Sequence, residues 1–78
     1  MNRSAEIDVI LATLNALDEG TLDSIRAKLS QVEQALRAIG EEELATRSAE
    51  ASDVLARGNV TEFKRLRATL QAKTGHLR

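Results

Sequence analysis

Between residues 22 and 39 the apolar positions Leu22, Ile25, Leu29, Val32, Leu36 and Ile39 recur at alternating steps of three and four. On a helix that spacing puts every large side chain on one narrow face, the pattern of a packing seam between helices. Upstream, Ile7, Ile10, Leu11, Leu14 and Leu17 predict a first helix from Ala5 to Asp18, with Ser4 or Asn2 as N-cap, Glu6 in the first turn and Gly20 at its end. This helix carries a second apolar stripe on the opposite side, made by Ala5, Val9, Ala12 and Ala16 at steps of four, three and four. A neighbouring helix can cover one of the two faces, so the other is left to meet something else.

Gly20 and Thr21 form a short turn with Thr21 as the next N-cap and Asp23 in the first turn, which implies an antiparallel helical hairpin. Gly40 is the ambiguous position. A helix that stops at glycine is normally followed by an apolar residue, and a new helix normally opens on Ser, Thr, Asp or Asn. Glu41, Glu42 and Glu43 follow instead. The pattern therefore favours one bent helix from Leu22 to Arg57 with Gly40 in its interior, at a cost of about 1 kcal/mol relative to alanine. The alternative is a break at Gly40, with the glutamates forming the acidic first turn of a separate helix.

Beyond Gly40 the apolar face rotates to Leu44, Ser48, Ala51 and Leu55, flanked by small residues that permit close backbone approach. Glu33 with Arg37, Glu43 with Arg47, and Asp53 with Arg57 are spaced as i,i+4 pairs. Gly58 has the context of a helix stop, and Asn59 followed by Glu62 resembles a capping box. A last helix from Val60 to Thr74 would bury Phe63, Leu66 and Leu70 and end at Gly75. The expected fold is one all-α domain over residues 1–78: a short helix, a long central helix and a short helix, packed as antiparallel hairpins. Each half would be only two helices thick, so a homodimer is expected to complete the bundle, whereas a break at Gly40 would allow a compact monomeric four-helix bundle.

The composition, 42% hydrophobic with no Pro, Cys, Trp or Tyr and one Phe, suits helices better than strands. The absence of cysteine removes disulfides and thiolate metal sites. No apolar run approaches the roughly 20 residues of a membrane span, and the charged opening segment does not read as an export signal. No membrane association and a cytoplasmic location are expected.

The net charge of −1 conceals a polarity along the chain. Residues 1–56 hold 5 Lys/Arg against 11 Asp/Glu, and residues 57–78 hold 6 against Glu62 alone. Lys64, Arg65, Arg67, Lys73 and Arg78 could bind nucleic acid, which makes a small nucleic-acid-associated regulator the second reading of function. Their helical positions form a girdle rather than a phosphate-tracking stripe, and Phe63 belongs to the core, so nucleic acid is the less favoured partner.

Residues with catalytic potential are sparse. His76 is the sole histidine and has no converging ligands in sequence. Glu41, Glu42 and Glu43 point about 100° apart on a helix and cannot share one ion. Glu6 and Glu50 lack the Glu-x-x-His partners of di-metal bundles, and the four scattered glycines make no phosphate loop. The expectation is a protein that is not an enzyme and uses no cofactor or metal. It is instead a protein–protein interaction module of small adaptor, chaperone-like or regulatory kind. Its partner-binding residues are Ala5, Val9, Ala12 and Ala16, and its partner is a second copy or a helical segment of another protein.

Overall fold

The computed structural model describes residues 3–17 and 20–77, with the backbone alone for Arg3. Four helices follow in order: α1 Arg3–Asn15, α2 Leu22–Ala38, α3 Glu42–Ala56 and α4 Val60–Gly75. No strand occurs among the described residues. Helix α1 begins earlier and ends earlier than the sequence pattern implies. Ser4 lies inside it, and the expected cap Asn2 and end Asp18 lie outside the described residues. Thr21 caps α2 as expected, its Oγ1 accepting from the Ser24 N–H at 3.2 Å. Asn59 Oδ1 accepts from the Glu62 N–H in the same way, 3.2 Å, to open α4. The reciprocal half of a capping box is not made there, because the Asn59 N–H donates to the Val54 carbonyl and the Glu62 carboxylate takes Arg65.

The long central helix is not formed: the chain breaks at Gly40. Gly40 takes a left-handed φ of +86°, its N–H donates to the Arg37 carbonyl at 3.1 Å, and the Glu41 N–H donates to the Leu36 carbonyl at 2.8 Å. These two bonds are the Schellman arrangement that satisfies the last carbonyls of a helix through backbone alone. Gly58, at φ +81°, ends α3 with the same pair of bonds, to Leu55 and Val54.

Packing supplies the reason for the break at Gly40. On one continuous helix, Ser48 would stand about 120° around the axis from Leu36, so the two apolar faces would point to different sides, whereas the break lets both face one core. The folded-back molecule is 36 Å in its longest extent, shorter than the roughly 54 Å that one helix over residues 22–57 would span.

With the chain folded back at Gly40, α2 and α3 pack antiparallel, as do α3 and α4. Helix α1 then lies against both α2 and α4, closing a ring of four in which the diagonal pairs do not approach among the described residues. The joint core comprises Ile10, Leu14 and Leu17 from α1 and the turn after it, Leu29, Val32 and Leu36 from α2, Leu44, Ala45 and Ala51 from α3, and Phe63, Leu66 and Leu70 from α4. Small residues on α3 allow its neighbours close. Among them Ser48 is fully buried and donates its hydroxyl to the Leu44 carbonyl at 3.3 Å. The expectation that each half would be two helices thick therefore falls, because a single chain already provides four.

Candidate functional site

Helix α1 is apolar on two opposite faces but has only two neighbouring helices among the described residues. Ile7, Ile10 and Leu14, with Leu17 just beyond the helix, face inward and are buried. The stripe singled out in the sequence faces outward: Val9 is 62% exposed, Ala5 and Ala12 are exposed, and Ala16, in the turn after the helix, is half-buried. The four residues thus lie together on one open surface. An isolated exposed valine is unremarkable, but here it continues a line of alanines on a helix that already buries its other side.

Beside the stripe runs a shallow groove between α1 and α2. Its upper part is lined by Val9, Ile10, Thr13, Gln31, Val32 and Ala35, and its lower part by Val9, Ala12, Thr13, Ala16, Lys28 and Gln31. The pairing of Ala16 with residue 28 and of Val9 with the region of residue 35 shows that α1 runs antiparallel to α2. Two polar contacts hold the end of α1 in place. Lys28 Nζ donates to the Ala16 carbonyl at 3.2 Å, a cation at a helix C-terminus, and Gln71 Nε2 donates to Asn15 Oδ1 at 3.0 Å from α4. Thr13, which lines the groove, turns its hydroxyl onto the Val9 carbonyl, 2.9 Å.

Sequence reasoning identified the stripe but not the polar flank. Thr13, Lys28 and Gln31 stand off both apolar ladders, and only the α1/α2 register, invisible in a single helix's periodicity, brings them alongside Val9. A second depression, between α2 and α3, sets Asp23, Arg26, Ser30, Glu33, Ser52 and Asp53 beside Ala27 and Ala49, with Arg26 Nε donating to Ser52 Oγ at 3.2 Å.

The other candidates are dispersed. Glu42 pairs with Arg37 at 3.0 Å, while Glu43 pairs with Arg47 at 3.2 Å, so the acidic run diverges as its helical spacing requires. Glu33 joins Arg37 at 2.8 Å, and these two carboxylates raise the Arg37 guanidinium above its ordinary pKa. Asp53 and Arg57 are both exposed, and the Arg57 N–H donates to the Asp53 carbonyl at 3.2 Å. Among the described residues no group of three or more His, Asp or Glu could hold a metal ion. His76 is exposed at the end of α4. Of the basic residues, Lys64, Arg65 and Lys73 are exposed, Arg67 is half-buried, and Arg78 lies outside the described residues. Arg65 is clasped by Glu62, its Nε and Nη2 donating to the two carboxylate oxygens, a contact that lowers the Glu62 pKa and raises that of Arg65. No described helix is long and apolar enough to cross a membrane. Compared with protein-family models, curated proteins and solved structures, the chain matches none significantly.

Proposed function

We propose that this chain is a cytoplasmic, non-enzymatic protein–protein interaction module, of small adaptor, chaperone-like or regulatory kind, and that the outer face of α1 is the surface it offers. The observation that carries the reading is Val9, 62% exposed in line with Ala5 and Ala12 on a helix whose opposite face is already buried in the core. Alanines flanking one larger apolar side chain let another helix approach closely, and the groove toward α2 adds Thr13, Gln31 and Lys28 as polar groups along its edge.

The test is site-specific cross-linking in cells that express the full chain. A photoreactive residue in place of Ala12 is expected to give one discrete adduct, lost when Val9 is changed to Glu. The same residue in place of Ala68, exposed on α4, is expected to give none. Equal adducts at both positions, or none at position 12, would defeat the reading.

A further inference from the structure

We infer that the occupant of this face is a second copy of the chain, docked with its α1 antiparallel to the first; the inference rests on the reading of α1 as an interaction surface. The spacing of the stripe is the first argument. Steps of four, three and four read the same in both directions, so a reversed copy presents the same pattern to the original. With the two-fold axis between residues 10 and 11, Ala5 meets Ala16 of the second copy and Val9 meets Ala12. The only large side chain in the stripe thus falls opposite a small one twice over. A parallel copy would set Val9 against Val9 and leave the alanines unopposed by anything larger. An isologous contact of this kind closes on itself and stops at two copies.

Charge is the second argument. The N-terminal half of the face has Glu6 at its edge, whereas the C-terminal end has Lys28 beside Ala16. Glu6 lies four and seven residues before Ile10 and Thr13, which line the α1/α2 groove, so it stands on the α2 flank of α1, where Lys28 also stands. A two-fold axis perpendicular to the paired helices keeps both α2 flanks on the same side. Lys28 of each copy therefore comes opposite Glu6 of the other, and the two helix dipoles run head to tail. A 13-residue helix offers a contact below the ~800 Å² per partner of a standard interface, so the association is weak.

Sedimentation of the full chain from low to high micromolar concentration tests this. The apparent mass is expected to rise from 8.5 kDa toward about twice that value, and Val9→Glu, which leaves the helical circular dichroism unchanged, is expected to hold the chain monomeric. Lys28→Glu is expected to weaken association about tenfold, and Glu6→Lys added to it to restore most of the loss. A monomer throughout, a dimer insensitive to Val9→Glu, or a charge exchange that restores nothing would overturn the antiparallel α1 pairing. The Ala12 cross-linker separates the two claims. An adduct with a different protein and a monomer in sedimentation would end the second-copy inference while the interaction reading stood. No adduct together with a monomer would end both.

Discussion

At the scale of single residues, the core was the most legible part of the chain. Leu29 and Leu36, assigned to the seam by spacing alone, are fully buried. Each is expected to cost about 2–5 kcal/mol on replacement by Ala, read as a lowered denaturant midpoint with unchanged slope, and near-neutral effects at both would remove them from the core. Thr74 was not legible. It sits on the apolar side of α4, fully buried, and its Oγ1 has no hydrogen-bond partner among the described residues. Periodicity treats threonine as a surface or capping residue, and nothing in the sequence signals an orphan hydroxyl. Because a buried unpaired polar group costs about 1–3 kcal/mol, Thr74→Val, which keeps the shape and removes the hydroxyl, is expected to raise the thermal midpoint. A lower midpoint would mean that the hydroxyl has found a partner.

At the scale of elements, the instructive contrast is between Gly40 and Gly58. Both end helices with the same left-handed backbone and the same pair of bonds, yet only Gly58 could be read as a stop. Its surroundings supply Asn59 as the next cap, whereas Glu41 makes no side-chain cap bond to α3. A Schellman turn is made of backbone groups and requires no particular side chain beyond the glycine. The missing cap was therefore a weaker argument for continuity than the rotation of the apolar face was against it. At neither glycine would a Cβ meet another atom within 4 Å, so Gly40→Ala and Gly58→Ala should each cost about 1–2 kcal/mol through backbone conformation alone. Denaturant titration of the two variants checks this, and an unaffected Gly40→Ala would revive the continuous helix.

On α4, the Arg65 hydrogen bonds hold the Glu62 carboxyl below its usual range. A carboxyl with a lowered native pKa contributes stability above its unfolded value and loses that contribution as pH falls through the native value. The stability gap between the wild type and Glu62→Gln is therefore expected at neutral pH and should vanish in acid. A gap that widened in acid would contradict the pairing.

For the whole molecule, the charge polarity of the sequence becomes a bundle whose basic residues are split among exposed, half-buried and carboxylate-clasped positions. Mixed-sequence DNA or RNA is expected to bind poorly at physiological salt. Salt-sensitive micromolar binding in a gel shift, lost on changing Arg65 and Arg67 to Ala, would instead favour the nucleic-acid regulator. The contact of α1 with α4 was beyond sequence reading. Local periodicity says which face a helix buries, but not which of two later helices completes the cover. That closure joins Asn15 to Gln71, a separation of 56 residues. During synthesis at ~5–20 residues per second, α1 would wait several seconds after its own formation before its second neighbour emerged. Until then Ile7, Ile10, Leu14 and Leu17 would have only α2 against them, so the nascent chain is most exposed to misassociation through α1.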